Sequence, residues 1–145
     1  MKESAVLRAV RRELERKKPN TRRAAEMLLE ASENDDAGAA YALGTWHLHG
    51  KHLKKNLPKA FALLVQAAHA NIPEALFDLA VCYEKGAGAK KNPKKAYEYY
   101  VRAALWGDGQ AIHEVGRCFY YGIGIRKNRQ MAGIWLDRAT ALGGN

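Results

Sequence analysis

No part of this sequence stays apolar over the roughly 20 residues that a membrane-spanning helix needs. The N-terminal residues also lack the apolar core of a signal peptide, because they lead directly into a charged, helix-forming segment. There are only two cysteines, Cys82 and Cys118, among 145 residues. These shortages predict a cytoplasmic protein of one domain, with reduced thiols and no contact with a membrane.

The sequence does contain an internal repeat. The segment Glu74–Gly107 aligns without a gap with Gly38–Asn71 and with Gln110–Gly143, each 36 residues away. A period of this length is typical of helical repeat proteins with two helices in each unit. The two cysteines share one column, and equivalent positions in stacked repeats lie about 9–10 Å apart, which is too far for a disulfide.

Each repeat is predicted to contain a helix A that a glycine ends and a helix B that an asparagine caps. Helix A is expected at about Ala39–His49, Ala75–Lys85 and Ala111–Tyr121. The glycines are Gly50, Gly86 and Gly122, and the asparagines are Asn56, Asn92 and Asn128. Helix B is expected to continue to about Ala70, Trp106 and Leu142. A neighbouring helix could approach closely at the small residue in the middle of each helix A: Gly44, Ala80 and Gly116.

Residues 1–37 are predicted to be a degenerate capping repeat. A helix is expected over residues 3–17, and Asn20 can cap a second helix, Thr21–Glu33, whose apolar positions match those of helix B. A polar terminal repeat is what the end of a solenoid requires. The prediction is therefore an all-α fold, a right-handed α/α solenoid of about four helix–turn–helix repeats. It forms a single domain over residues 1–145, with regular repeats at 38–73, 74–109 and 110–145.

The shared columns resemble the Sel1-like repeat. Its pattern appears as YALGTWHLHG…NLPKAFALLVQAA, as ALFDLAVCYEKGAG…NPKKAYEYYVRAA and as AIHEVGRCFYYGIG…NRQMAGIWLDRAT, over residues 38–143. Three positions depart from it: Asn stands where many members have Asp before helix B, Ala80 replaces the central glycine, and Thr140 breaks the Ala-Ala pair. The resemblance implies a tetratricopeptide-like scaffold or adaptor for protein–protein contacts, without shared catalytic residues.

By likeness to tetratricopeptide arrays, helix A is expected to line a concave partner-binding face. Positions spaced i, i+4, i+7 and i+8 share one side of a helix. In the three repeats these are Tyr41, Thr45, Leu48 and His49; Phe77, Val81, Glu84 and Lys85; and His113, Arg117, Tyr120 and Tyr121. Aromatic and arginine side chains are typical of interface hot spots. The alternative is that Tyr41 and Phe77 only pack between repeats.

The loops between helices A and B form a second candidate surface, a basic edge: Lys54, Lys55, Lys90, Lys91, Arg126 and Lys127. Nearly all of the net charge of +9 lies in residues 37–145, which hold 15 Lys or Arg and seven Asp or Glu. This charge predicts an acidic partner. The alternative is that the cations favour the helix dipole and keep the surface soluble. We do not expect nucleic acid as a partner, because no known reading module occurs.

The sequence offers no paired carboxylates, nucleophile elbow or phosphate loop, so we expect no enzyme activity and no cofactor. His47, His49 and His52 are close in sequence, but His47 and His49 point in different directions on a helix, and His47 is expected in the core. We therefore expect no metal site. The leading function is a protein-binding scaffold. The alternatives are an immunity protein that neutralises a toxin domain and, more distantly, a hydrolase.

One further expectation concerns helix B of the last repeat, which no following helix would cover. Its apolar residues are Met131, Ile134, Trp135, Ala139 and Leu142. A contiguous exposed apolar patch marks a contact surface. We therefore expect the C-terminal end to bind either a second copy in a two-fold homodimer or the partner itself.

Overall fold

Residues 3–143 are described by a computed structural model, in which they form eight α-helices and no β-strand. The predicted all-α class is thus confirmed. The chain divides into two compact units, Met1–Ala70 and Asn71–Asn145. Unit 1 contains α1 (Ala5–Leu14), α2 (Thr21–Glu33), α3 (Ala37–His49) and α4 (Leu57–His69). Unit 2 contains α5 (Pro73–Lys85), α6 (Pro93–Leu105), α7 (Gly109–Tyr121) and α8 (Arg129–Ala141).

The A helices α3, α5 and α7 end as predicted, at a glycine in the left-handed conformation. The φ angles of Gly50, Gly86 and Gly122 are 68°, 74° and 74°. These helices begin two residues earlier than predicted. Asp36 and Asp108 cap α3 and α7 by accepting a backbone N–H three residues ahead, and Pro73 opens α5. A carboxylate at the N-cap satisfies an N–H group that would otherwise have no partner, which explains the earlier start.

The B helices α4, α6 and α8 begin at the predicted asparagine caps. The side-chain oxygens of Asn56, Asn92 and Asn128 accept hydrogen bonds of 3.0–3.1 Å from the backbone N–H three residues ahead. Each helix ends one residue earlier than predicted, and the chain then turns through a residue with positive φ. In the first repeat Asp35 takes this conformation, at φ 66°, in the column that holds Asn71 and Gly107. The degenerate repeat therefore keeps the turn of the regular repeats.

Helix α1 is shorter than predicted, because it ends at Leu14 instead of continuing to residue 17. The Glu13 carboxylate accepts hydrogen bonds from the backbone N–H of Asn20 at 3.0 Å and from the Arg16 guanidinium at 3.1 Å. The bond from the Asn20 backbone, followed by that from Arg16, lowers the pKa of Glu13. These bonds favour a turn after Leu14 over further helix.

Small residues allow the two helices of a repeat to pack closely. In unit 1, α3 packs against both α2 and α4, and in unit 2, α7 packs against both α6 and α8. A Cβ atom at Gly116 would lie 2.8 Å from the Leu136 side chain on α8, and one at Gly44 would lie 3.2 Å from Leu63 on α4. The predicted close approach at the middle of helix A is confirmed at these two glycines.

Candidate partner-binding surfaces

In unit 1 the predicted binding face lies along α3. Tyr41, Thr45 and Leu48 are half-buried, and His49 is exposed. The Thr45 hydroxyl donates a hydrogen bond of 2.8 Å to the backbone carbonyl of Ala42. His49 is therefore the exposed member of this set, and the Thr45 hydroxyl is already paired within its own helix.

In unit 2 the α5 residues of the predicted face are largely committed to the core. The Phe77 ring meets the ring of Tyr100 on α6 edge to face, with centroids 5.6 Å apart. Both Phe77 and Val81 pack against the buried cluster that contains Tyr100 and Val115. Lys85, in the last turn of α5, is exposed. Of these three predicted residues, Lys85 is therefore the one that points into solvent.

Arg117 on α7 is the centre of a polar network. Its guanidinium donates hydrogen bonds to Glu84 on α5 at 2.7 Å and to Glu114 at 2.6 Å. The hydroxyl of Tyr100, which is 2% exposed, donates to the same Glu84 oxygen at 2.9 Å. Two adjacent A helices and the B helix between them are thus joined through one carboxylate. This arrangement assigns Arg117 and Glu84 a structural role within unit 2.

The network shifts the ionisation of all three of its central groups. Burial acts to raise the pKa of Glu84, but hydrogen bonds from Arg117 and Tyr100 outweigh it and hold the pKa below its ordinary value of 4.5. The bond to Glu84 raises the pKa of Arg117, against the effect of burial. Burial, and then the bond to Glu84, raises the pKa of Tyr100. At neutral pH the network therefore contains a carboxylate, a guanidinium and a neutral phenol.

Sequence reasoning did not identify Tyr100 and Glu114 as members of this network. Tyr100 shares a column with Leu28 and Leu64, both fully buried. A hydroxyl in an otherwise aliphatic buried column requires a hydrogen-bond partner. That single polar substitution was the available signal. Glu114 lies three residues before Arg117 on the same helix, a spacing at which side chains meet.

The last turn of α7 carries two adjacent aromatic side chains, the half-buried Tyr120 and the exposed Tyr121. The side chain of Tyr121 is 65% exposed, and its ring centroid lies 4.8 Å from that of Tyr120. The guanidinium of Arg129, at the start of α8, lies over the Tyr120 ring at 4.2 Å from its centroid. His113, two turns further back, is half-buried. The structure thus brings two predicted residues, Tyr120 and Tyr121, together with an arginine that the sequence did not select.

All six residues of the predicted basic edge are exposed: Lys54, Lys55, Lys90, Lys91, Arg126 and Lys127. Each pair occupies the same place in its loop, directly before the asparagine that caps helix B. That these pairs line up as one continuous edge stays a prediction.

A broad apolar groove lies on the other side of unit 2, lined mainly by α6 and α8. Its volume is about 880 Å³. Four large side chains on these two helices and their ends are more than half exposed: Leu105 at 76%, Trp106 at 56%, Ile134 at 58% and Leu142 at 61%. Of the residues predicted to be exposed here, Ala139 is buried, and Met131 and Trp135 are half-buried. Leu105 is an additional lining residue that the sequence did not indicate.

The described residues contain few other groups that could react or bind a metal ion. Cys82 and Cys118 are free and buried. Burial, with a smaller effect of Asp78, raises the pKa of Cys82 to about 11, and burial raises that of Cys118 to about 12. Within residues 3–143, no three His, Cys, Asp or Glu side chains are grouped so that they could hold a metal ion. In the same range no helix combines the length and the apolar character that a membrane crossing demands.

Comparison with known proteins identifies the repeat. The family model described as Sel1 repeat matches residues 14–36, 37–72, 73–108 and 109–144. The chain belongs to the Sel1 repeat family. The match includes residues 14–36, in the repeat that departs most from the pattern. Proteins built of Sel1 repeats are generally protein–protein interaction scaffolds, and their solenoid fold is typically that of a non-catalytic adaptor.

Solved Sel1 repeat structures share the fold. A Sel1 repeat protein from Oxalobacter formigenes is 28% identical, with a TM-score of 0.83 over 87% of this chain and 52% of that one. The Helicobacter pylori cysteine rich protein B is 25% identical, with a TM-score of 0.67 over 90% of this chain and 94% of that one. The predicted α-solenoid class is confirmed by these likenesses. No curated protein sequence matches significantly.

A third structure is the c5321 protein, a protective antigen present in uropathogenic Escherichia coli strains, which displays the same Sel1-like repeat fold. It is 23% identical, with a TM-score of 0.91 over 97% of this chain. The present chain covers about half of the Oxalobacter formigenes protein (52%) and 30% of the c5321 protein. At this identity the likeness to c5321 concerns the fold alone.

Proposed function

We propose that this Sel1 repeat protein is an interaction scaffold that binds a partner protein on the A-helix face, centred on the last turn of α7. The observation that carries the proposal is the exposed Tyr121 beside the half-buried Tyr120, with the Arg129 guanidinium over the Tyr120 ring. Tyrosine and arginine are enriched among the residues that dominate binding energy at interfaces.

Other residues of the predicted face fit a supporting role better. Phe77 and Val81 pack into the core of unit 2, and Arg117 is held by two carboxylates. Replacing any of the three would disturb the unit itself, so a loss of binding would be ambiguous. Tyr121 is the sharper test, because its side chain is 65% exposed.

The charge around this site supports an acidic partner. Arg126, Lys127 and Arg129 are exposed residues between the end of α7 and the start of α8, next to the site in the chain, and Lys85 is exposed at the end of α5. Cations around an aromatic patch increase the association rate with an acidic surface and make it depend on salt. The predicted immunity function would use the same surface, and the partner would then be a toxin domain.

The experiment is site-specific photo-crosslinking in the source cells. A benzoylphenylalanine at position 121 should yield a discrete crosslinked partner, whereas the same group at Glu98, an exposed position on α6, should not. The purified partner should then lose about thirtyfold or more in affinity with Tyr120→Ala/Tyr121→Ala. Unchanged affinity in that variant would refute the proposal. Fractionation of the same cells would test the predicted cytoplasmic location.

The apolar groove of unit 2 favours a second candidate, a two-fold homodimer. A two-fold interface brings the same patch of two copies together, so it must complement itself. Asp137 and Arg138 both line this groove and carry opposite charges, so that they can pair crosswise between two copies. Light scattering over a dilution series should show a dimer that Ile134→Ser weakens and Tyr121→Ala does not. A monomer at every concentration would rule it out.

A further inference from the structure

Unit 1 contains a second apolar groove, of about 410 Å³, between α2 and α4. Ala25 and Leu29 on α2 and Leu63 on α4 form its walls, and His47 on α3 lies at its floor. Leu29 is 46% exposed, which is unusual for a leucine on the inner side of a helix pair. A groove of this size can hold a group as large as an aromatic ring with its neighbours.

The equivalent place in unit 2 is occupied by aromatic side chains. Counting two repeats forward, Ala25, His47 and Leu63 correspond to Tyr97, Phe119 and Trp135. The rings of Tyr97 and Phe119 meet edge to face with centroids 5.6 Å apart, and Trp135 packs on the same cluster. Unit 1 keeps the same order of helices but places smaller side chains at all three positions. The largest reduction is at Ala25, where a methyl group stands in place of the Tyr97 side chain, and the groove lies at these smaller side chains.

His47 gives the groove a polar requirement. Its Nδ1 atom is buried and has no hydrogen-bond partner. An unpaired buried nitrogen costs free energy, which a donor or acceptor from outside would recover. Rotation of the imidazole about χ2, a torsion with broad minima, exchanges Nδ1 with the opposite edge of the ring. A phenol hydroxyl is both donor and acceptor and therefore fits either tautomer of His47.

From these observations we propose that the groove between α2 and α4 binds a tyrosine side chain of a partner protein. The ring would lie against Ala25, Leu29 and Leu63, as Tyr97 lies within unit 2, and its hydroxyl would pair with His47. This inference rests on the proposed scaffold function in one respect: the tyrosine ring belongs to a partner protein. The site itself is separate from the tyrosine pair on α7, because it lies entirely in unit 1.

The rim of the groove indicates which residues flank the tyrosine. Arg22 and Glu26 are paired with each other, at 3.4 Å between Nε and Oε1. Lys59, at the first turn of α4, is the third charged residue of the rim and is exposed. Because Lys59 lines the groove, its positive charge favours a carboxylate next to the bound ring. The partner segment is therefore a tyrosine with acidic neighbours.

The test is an NMR titration of the full chain with two probes of equal shape, p-cresol and toluene. Amide shifts should be confined to residues around the groove, and p-cresol should bind about tenfold more tightly than toluene. The variant His47→Phe, which introduces the residue found at position 119, should remove that preference and leave toluene binding intact. Ala25→Tyr should fill the groove and abolish binding of both probes.

Controls separate this result from nonspecific effects. Glu98→Tyr, which adds a ring at an exposed site of α6 that lines neither groove, should leave probe binding unchanged. The peptide acetyl-Glu-Tyr-Glu-amide should bind more tightly than acetyl-Lys-Tyr-Lys-amide, and Lys59→Glu should reverse that order. Equal binding of p-cresol and toluene, or unchanged binding in Ala25→Tyr, would overturn the inference. These outcomes do not depend on Tyr120 and Tyr121, so the proposed function is tested separately.

Discussion

Arg117 on α7 donates a hydrogen bond of 2.7 Å to Glu84 on α5, in the preceding repeat. The side chains are 29% and 24% exposed, so water screens the pair only in part. The same carboxylate accepts the Tyr100 hydroxyl, and Arg117 also holds Glu114. A residue that repeat comparison places on the binding face therefore connects two repeats of unit 2.

We expect Glu84→Gln to destabilise the protein by about 1–2 kcal/mol, because two charge-assisted hydrogen bonds would lose the ionised acceptor. Urea unfolding followed by circular dichroism measures the change. The matched control is Glu98→Gln, which removes the same charge from an exposed position on α6 and should have almost no effect. Equal losses in both variants would show that the network contributes nothing specific.

The effect of Glu84→Gln should also depend on pH. The pKa of Glu84 lies below its ordinary value of 4.5 in the folded protein. A lowered folded pKa means that the stabilisation is present above 4.5 and is lost as the pH falls through the folded pKa. Unfolding curves of the two proteins should therefore converge on acidification. A difference that stays constant between neutral and acidic pH would contradict this assignment.

Two glycines of the last loop should differ in their tolerance of a side chain. Gly122 and Gly124 both have positive φ, 74° and 70°, but a Cβ atom at Gly124 would also collide with the backbone carbonyl of Pro93. At Gly122 the nearest atom would be 3.4 Å away. We expect Gly122→Ala to cost about 1–2 kcal/mol from its conformation alone, and Gly124→Ala to cost clearly more.

Thermal unfolding of these two variants measures the order. Comparison of repeats alone suggests that the second glycine is replaceable, since His52 occupies that column in the first regular repeat and adopts φ 64°. A smaller loss for Gly124→Ala than for Gly122→Ala would show that the chain relaxes away from Pro93.

The two cysteines should be unreactive in the folded protein. The pKa of Cys82 is raised to about 11 and that of Cys118 to about 12, so few thiolates exist near neutral pH. Ellman's reagent should label both thiols in urea and label them much more slowly in buffer. Because the folded pKa values are raised from 9.0, this contribution to stability is complete below 9.0 and declines as the pH rises towards 11. Rapid labelling of the folded protein would contradict the burial.

Local sequence determined the ends of the helices. An asparagine or aspartate at an N-cap and a glycine at a C-cap act through hydrogen bonds and φ preferences within a few residues. For this reason Asn56, Asn92 and Asn128 could be identified without tertiary information, and so could Gly50, Gly86 and Gly122. The repeat period then determined the family and the fold class, since each copy confirms the others.

Tertiary structure decided which side chains are available. Phe77 and Tyr121 are predicted on the same face of helix A, yet Phe77 packs on Tyr100 whereas Tyr121 is 65% exposed. Likewise, the carboxylate that holds Arg117 comes from a residue 33 positions away. The groove at His47 arises from three side chains, on three helices, that are smaller than those at the equivalent positions of unit 2. Burial and pairing depend on groups that meet across helices, and periodicity places a residue on a face without specifying what lies opposite it.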